Sequence, residues 1–166
     1  MRVLGIDPSL QSTGFGVVEE TGASYIPVVY GIVKPSPKLP FPSRLNEIRT
    51  ELEKVMVSFA PDEVAIENVF YVQNVRTALS LGQVRGAVLV AVAAQARELF
   101  EYSALEIKKA VTGYGQADKN QVRVMVKTLL NIEDDALSLD ASDALAAAIC
   151  HLNSRIFHRK LEESLG

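Results

Sequence analysis

The opening stretch MRVLGIDPSLQSTGFGVVEE, residues 1–20, indicates a β-sheet at the start of the chain. It contains two runs rich in apolar and β-branched residues, RVLGID and GFGVVEE, separated by a short segment with proline, serine and glycine. Such runs predict β-strands, and the short connection predicts that the two strands are antiparallel. A third run of the same kind, YIPVVYGIVK at residues 25–34, predicts a third antiparallel strand.

The hydrophobic period changes after Pro42. Apolar residues then recur at the spacing of one helix face until Pro61 closes the helix. The members of this face are Leu45, Ile48, Leu52, Val55, Met56 and Phe59. EVAIENVF, residues 63–70, follows as a short buried strand. A strand, helix, strand order predicts a parallel pair of strands with a right-handed crossover.

The second half of the chain is mainly helical by its pattern. It predicts an apolar helix at 76–98, a strand at 100–103, a short helix at 104–112, a helix that Asp118 and Gln121 cap, and a last helix from about Ser138 to about Lys160. The predicted class is α/β, a mixed sheet of about five strands, three antiparallel and then parallel, flanked by helices.

Composition sets the broad limits. The chain has 166 residues, of which 48% are hydrophobic and 22% charged, so we expect residues 1–166 to form a single domain. The amino terminus is too short and polar for a signal peptide, and the apolar stretch at 86–96 is shorter than the roughly 20 residues of a membrane span. We therefore predict a cytoplasmic protein that no membrane holds. The net charge of −3 neither indicates nor excludes a nucleic-acid partner.

Two acidic residues end apolar strands. Asp7 ends RVLGID and Glu67 ends EVAIE. A charge beside an apolar strand is costly unless it is paired or binds a ligand, and ligand sites in open α/β sheets lie beyond strand ends. The plain alternatives are a turn-forming aspartate before Pro8 and a solvent-facing glutamate.

Two more carboxylates begin the last helix, in SLDASDALAAAICHL at residues 138–152. Asp140 and Asp143 are three residues apart, so they are neighbours on one helix face. The plain alternative is that both stabilise the start of the helix. If this helix crosses the strand ends, Asp7, Glu67, Asp140 and Asp143 converge into an all-oxygen cluster, whose hard ligands suit Mg²⁺ or Mn²⁺.

Five segments carry a family resemblance. In this order, GIDPSLQSTGFGVV, AIENVF, ALSLGQVRGAVLVA, EIKKAVTGYGQADKNQV and DASDALAAAICH resemble the motifs of the bacterial RuvC family of Holliday junction resolvases, endonucleases with a ribonuclease-H-like fold. The resemblance runs from about Arg2 to about His151. One departure is Ser9, where the family usually has glycine, which concerns the shape of that loop and removes no carboxylate.

The resemblance implies a reaction and its residues. It implies paired, symmetric nicking of two opposed strands of a four-way DNA junction in recombination and repair, by two-metal phosphodiester hydrolysis that leaves 5′-phosphate and 3′-hydroxyl ends. The implied catalytic residues are Asp7, Glu67, Asp140, Asp143, Lys108 and Lys119. The four carboxylates are the implied ligands of two Mg²⁺ ions, with Mn²⁺ as a substitute.

Further residues are predicted to contact DNA. By resemblance, Phe70 stacks on an unpaired base at the crossover, with Tyr71 beside it in the same loop. Asn74 and Arg76 are candidates for reading bases at the cleavage site. Lys109, Arg123 and Lys127 are predicted from their charge to contact the DNA backbone, although an ordinary solvated face explains each one singly.

The implied partners are a second copy of the chain and branch-migration proteins of the RuvA and RuvB type. A two-fold substrate suits a two-fold enzyme, and the helix at 76–98 is apolar almost around its circumference, so we expect it in the homodimer contact. Burial of that helix in the core would explain its composition equally well. Gly82 and Gly86 would permit close approach in either case.

Three other functions are compatible with parts of the sequence. GIDPSLQSTGFG is similar to the phosphate loop of actin-like ATPases, although that class needs two such domains and the chain has the length of one. A junction-binding module without catalysis is a second alternative, and the four carboxylates argue against it because they would repel DNA unless metal neutralised them. Another nuclease of the same fold is the third.

Overall fold

The computed structural model describes residues 1–22, 24–68, 74–133 and 136–165, with side chains as far as Arg155. The strands are β1 Arg2–Asp7, β2 Thr13–Thr21, β3 Ser24–Val33, β4 Glu63–Asn68 and β5 Glu98–Ser103. The helices are α1 Phe41–Phe59, α2 Val75–Ala94, α3 Ala104–Thr112, α4 Lys119–Leu130 and α5 Leu139–Leu165.

The strands form one mixed sheet in the order β3-β2-β1-β4-β5. β1 pairs antiparallel with β2, and β2 pairs antiparallel with β3. β4 joins β1 in parallel on its other side, and β5 extends the parallel half. The predicted α/β class, with three antiparallel strands followed by parallel ones, is confirmed.

Alternation along the strands divides the core into two layers, because successive side chains point to opposite faces of a sheet. Leu4, Ile6 and Ile66 belong to the layer that contains residues of α1 and α2. Val3 and Ala65 belong to the other layer, which contains residues of α3, α4 and α5. Asp7 and Glu67 have the same parity as Val3 and Ala65, so both carboxylates project on the face that α5 covers.

Three glycines let α5 lie directly on the antiparallel half of the sheet. A Cβ atom on Gly5 would lie 1.8 Å from the carbonyl oxygen of Ala144, and one on Gly14 would lie 2.0 Å from that of Asp140. A Cβ on Gly16 would lie 2.5 Å from the side chain of Leu145. At Gly5 and Gly14 no larger residue fits between the backbones, and this close approach sets the start of α5 beside the end of β1.

A polar cluster fixes α5 further along its length. The buried ring of His151 has Nδ1 at 2.7 Å from the Tyr102 hydroxyl and Nε2 at 2.5 Å from Glu63 Oε2. Burial lowers the pKa of His151, although Glu63 acts in the opposite direction. These hydrogen bonds join α5 to both β4 and β5, so the helix is held at its start by close packing and later by polar contacts.

The helix predicted at 76–98 ends earlier, at Ala94. Ala96 adopts a left-handed conformation with φ of 50°, which turns the chain into β5 at Glu98. Alanine is a good helix former, so composition alone did not indicate this end. The last helix begins at Leu139, close to the predicted start, and its described backbone continues to Leu165, beyond the predicted end.

Helix α2 is much more exposed than a core helix. Its 20 residues are long and apolar enough to cross a membrane by length and composition alone, and they extend beyond the apolar run noted at 86–96. Only 22% of its most apolar 18-residue segment is buried. The buried residues Val84, Val88 and Val92 nevertheless pack into the layer shared with α1 and the sheet, as in a helix of a globular protein.

Candidate active site

The ends of two neighbouring parallel strands bring Asp7 and Glu67 together. Ile6 of β1 is in register with Ile66 of β4, so Asp7 and Glu67 follow as the next residues of the two strands. Parallel strands lie about 5 Å apart, and both side chains project on the same face. The strand-end pair that the sequence predicted is therefore adjacent in space.

The first two turns of α5 supply Asp140 and Asp143 at the same edge of the sheet. Asp140 contributes the carbonyl oxygen that lies against Gly14, which is itself opposite Asp7 in the β1–β2 register. Ser138 already performs the capping role, because its hydroxyl oxygen accepts a hydrogen bond from the Ala141 amide at 3.2 Å. Neither aspartate is therefore needed as the side-chain cap, although Asp140 lies in the first turn, where the helix dipole favours negative charge.

A cleft of about 230 Å³ opens between these elements. Its charged lining comprises Asp7, Glu67, Asp143, Lys108 and Lys119, and its apolar lining comprises Ala104, Ile107 and Val122. The structure thus brings together five of the six predicted catalytic residues in one cleft. Asp140 is outside the lining, three residues before Asp143 on α5.

The two lysines enter the cleft from helices with well-defined starts. The predicted capping box of α4 is present, with Asp118 accepting from the amides of Asn120 and Gln121, and Lys119 is the first residue of that helix. Lys119 Nζ lies 2.7 Å from Asp143 Oδ2. A second capping box, formed by Ser103 and Glu106, starts the helix α3 that carries Lys108.

Burial and like charge disfavour ionisation of the carboxyl groups at the strand ends. Burial, followed by the charges of Asp143 and Glu67, raises the pKa of Asp7 to about 7 from an ordinary value of 3.8. Burial and the charge of Asp143 raise the pKa of Glu67, while Lys119 and Lys108 act in the opposite direction. The cleft therefore concentrates negative charge that positive charge would stabilise.

The donor chemistry of the cleft fits a divalent cation. Carboxylate oxygens are the ligands that Mg²⁺ and Mn²⁺ prefer, and a bound cation would relieve the repulsion among Asp7, Glu67 and Asp143. Within the described residues, however, no three acidic, histidine or cysteine side chains stand close enough to hold an ion together. Lys119 instead provides the positive charge next to Asp143, and the hydrogen bond between them raises the pKa of Lys119.

The loop after Asp7 tolerates serine in place of the usual glycine. The Ser9 amide donates to Thr13 Oγ1 at 3.1 Å, and Thr13 Oγ1 donates to the Ser9 carbonyl at 2.5 Å. Among the described residues, the non-glycine positions with positive φ are Ala60, Ala96 and Asn131, so Ser9 does not need the conformational freedom of glycine.

The predicted DNA-contacting residues within the described part of the chain lie at the start of α2 and on α3 and α4, whereas Phe70 and Tyr71 lie outside the described residues. Asn74 is the N-cap of α2, where its side chain accepts from the Thr77 amide at 3.2 Å. Arg76 is exposed and lines a groove of about 400 Å³ with Ser9 and residues next to it. Lys109 is exposed on α3, whereas the α4 residues Arg123 and Lys127 are half-buried.

Arg85 contacts the site and was not among the residues predicted from the sequence. Its guanidinium donates to the Glu67 carbonyl oxygen at 3.4 Å. The available signal was its position on α2, three residues before the buried Val88 and next to the buried Val84. A charged residue beside an apolar helix stripe needs a partner, and the partner was not visible in the sequence.

The sheet order, the two-sided helix arrangement and the acidic cleft at the strand ends define an α/β nuclease with a ribonuclease-H-like fold. Residues 3–151 match the family model described as crossover junction endodeoxyribonuclease RuvC. The chain belongs to the RuvC family of endonucleases, which excludes the actin-like ATPase alternative.

Individual relatives agree with this assignment. The RuvC of Pelobacter propionicus is 48% identical over 93% of this chain and 87% of its own length, and that of Magnetococcus marinus is 44% identical over 96% and 88%. The structure of Thermus thermophilus RuvC in complex with a Holliday junction substrate superposes with a TM-score of 0.88 at 33% identity, covering 93% of this chain and 94% of that one. The yeast mitochondrial Holliday junction resolvase, at 15% identity and a TM-score of 0.68, shares the fold.

Proposed function

We propose that this protein resolves four-way DNA junctions by metal-dependent nicking of two opposed strands. The observation that carries the proposal is the cleft in which Asp7, Glu67 and Asp143 face Lys108 and Lys119. The similar Thermus thermophilus protein, whose structure contains a Holliday junction substrate, supports the same choice of DNA. Residues 1–166 would form one nuclease domain, acting in the cytoplasm.

Each part of the cleft has a distinct task in this proposal. Asp7, Glu67, Asp140 and Asp143 would hold Mg²⁺, or Mn²⁺ in its place. Bound ions of this kind activate water and stabilise the leaving oxygen in phosphodiester hydrolysis. Lys108 and Lys119 would attract the scissile phosphate and offset the negative charge that develops on it.

The decisive test is cleavage of a synthetic four-way junction beside a linear duplex of the same sequence, with and without Mg²⁺. We expect paired nicks that a ligase seals, in the junction alone, and only with metal. Asp143→Asn is expected to bind the junction without cutting it. Tight junction binding by the native protein with no cleavage in Mg²⁺ or Mn²⁺ would contradict the proposal and favour a binding module.

Helix α2 is the proposed homodimer contact. Val75, Leu79 and Val90 lie on one outward face and are 75%, 66% and 59% exposed. Gly82 and Gly86 belong to the same face by helical spacing, and a Cβ atom on either would meet nothing within 4 Å. An apolar face with two open glycines suits close packing against a second copy, so that two active sites serve two strands.

Val90→Asp is expected to separate the dimer, because the substitution would place an unpaired charge in an apolar contact. We predict a dissociation constant at least about 100-fold higher, equivalent to about 3 kcal/mol, by analytical ultracentrifugation. Val57→Asp is the matched control, since Val57 is 68% exposed on α1. Equal dimer stability in the two variants would contradict the assignment.

The basic residues outside the cleft are proposed to contact DNA phosphates. Changing Lys109, Arg123 and Lys127 together to glutamine is expected to weaken junction binding and to flatten its salt dependence, by about 0.9 in logarithmic slope for each phosphate that is no longer neutralised. Lys54→Gln, on the distant α1, is the control. An unchanged salt slope in the triple variant would show that this face is merely solvated.

Branch-migration proteins of the RuvA and RuvB type are further proposed partners.

A further inference from the structure

Arg85 occupies the position at which α2 enters the protein core. The helix residues from Val75 to Leu79 are exposed, and burial begins at Val84. The Arg85 side chain is only 24% exposed and points into the region between α2, β4 and β5, where its charge requires a partner. It finds two polar partners, one on each strand.

The first partner is a carboxylate on the edge strand. Arg85 Nη2 lies 2.5 Å from Glu101 Oε1. Glu101 is opposite Ile66 in the β4–β5 register, and its parity places its side chain on the α2 face of the sheet. This ion pair is partly shielded from water, which fixes the direction of the guanidinium better than an exposed pair would.

The second partner is the main chain of a proposed metal ligand. Arg85 Nη1 donates to the carbonyl oxygen of Glu67 at 3.4 Å, a long hydrogen bond that depends on the orientation set by Glu101. The register of β1 with β4 ends at Ile6 and Ile66, so Glu67 is in register with β5 alone, opposite Tyr102. Glu67 is thus paired with a neighbouring strand on only one side, and the hydrogen bond from Arg85 adds a further restraint on its main chain.

We propose that Arg85, oriented by Glu101, is a positioning residue that holds the main chain at Glu67 so that its carboxylate points into the acidic cleft. This inference rests on the proposed function of Glu67 as a metal ligand. The guanidinium acts from the α2 face, whereas the Glu67 side chain projects on the α5 face. Arg85 therefore contacts neither DNA nor metal. It connects α2, the proposed dimer helix, to the main chain of the active site.

The test compares Arg85→Gln, Arg85→Lys and Glu101→Gln with the native protein. In Arg85→Gln we expect about 10-fold to 100-fold weaker Mn²⁺ binding by electron paramagnetic resonance, and a similar rise in the Mg²⁺ concentration for half-maximal cleavage. In the absence of metal, amide hydrogen exchange at Glu67 and Asn68 is expected to be faster in Arg85→Gln than in the native protein. Junction affinity in Ca²⁺ should stay within about twofold.

The two other variants separate positioning from general stability. Arg85→Lys keeps one donor but not the planar fork, so it should restore part of the metal affinity, and Glu101→Gln should lose less than Arg85→Gln. Arg49→Gln is the matched control, because it removes another arginine–glutamate pair at 2.5 Å, on α1. It should leave Mn²⁺ binding unchanged.

Two results would overturn the inference. One is unchanged Mn²⁺ affinity and amide exchange in Arg85→Gln, even with a lower melting temperature. The other is an equal loss in Arg49→Gln. If Arg85→Gln does not fold, Arg85→Lys and Glu101→Gln give the same comparison. A native protein that cuts no junction, with weaker Mn²⁺ binding in these variants, would refute the proposed function and support the positioning role.

Discussion

Asp7→Asn is expected to abolish junction cleavage while making the metal-free protein more stable. Asparagine has nearly the shape of aspartate and carries no charge. It therefore avoids the cost of burying a charge and the repulsion from the other carboxylates, which together raise the pKa of Asp7 to about 7. It also removes an anionic metal ligand. We expect a cleavage rate at least about 100-fold lower, the size of a single lost electrostatic contribution to the transition state.

The sign of the stability change follows from proton binding. The pKa of Asp7 is about 7 in the folded protein, against the ordinary value of 3.8 that applies to the unfolded chain. Between these values the folded state binds more protons, so the native protein without metal should lose stability as pH rises through this window. The full difference corresponds to about 4 kcal/mol. Asp7→Asn should therefore have the higher melting temperature at pH 8 and lose this pH dependence.

The control for Asp7→Asn is Asp62→Asn, at an exposed aspartate before β4 that accepts a hydrogen bond from the Arg2 amide at 2.7 Å. That variant keeps the acceptor and should retain full cleavage and the native pH dependence. Thermal unfolding in EDTA and single-turnover cleavage in Mg²⁺ are the two measurements. An active Asp7→Asn, or one that unfolds at lower temperature than the native protein at pH 8, would contradict the role given to Asp7.

Gly14→Ala is expected to remove both stability and activity. The new Cβ would lie 2.0 Å from the Asp140 carbonyl oxygen and 2.4 Å from its carbonyl carbon, so the start of α5 must move away from β2. Overpacking of this kind costs about 1–3 kcal/mol, and more where backbone opposes backbone. A displacement of about 1 Å at the carboxylates can lower the rate about 100-fold.

Gly31→Ala is the matched control for Gly14→Ala. It lies in the same sheet, and its new Cβ would meet mainly the tip of the Phe15 ring, at 3.0 Å, which a side-chain rotation can relieve. Urea unfolding and cleavage should show a small change in Gly31→Ala and a large one in Gly14→Ala. Equal stability of the two variants would mean that close packing at Gly14 does not hold α5 in place.

The sequence predicted those features that depend on neighbouring residues. RVLGID coincides with β1, and the helix predicted at 104–112 coincides with α3. The positions of Asp7 and Glu67 at strand ends followed from the same strand periodicity. Their proximity was predictable on the condition that the two strands are neighbours, whereas the convergence of Asp140 and Asp143 on them also required the last helix to pack across the sheet.

Contacts between distant segments were not predictable in the same way. Gly5 and Gly14 carry no sequence signal for the backbone of α5, which approaches them from the other end of the chain. The link from Arg85 to Glu67 likewise depends on how α2 packs over β4 and β5. Ala96 is a helix former by residue type, so its left-handed conformation beyond the end of α2 was not indicated either.

Anomalous diffraction from crystals of the protein with junction DNA, soaked in Mn²⁺, would show whether the four carboxylates hold the metal ions. We predict two manganese peaks about 4 Å apart, contacted by Asp7, Glu67, Asp140 and Asp143, with Lys119 Nζ no longer at 2.7 Å from Asp143. Manganese bound elsewhere, with none at these carboxylates in a protein that cleaves the junction, would mean that they are not the metal ligands.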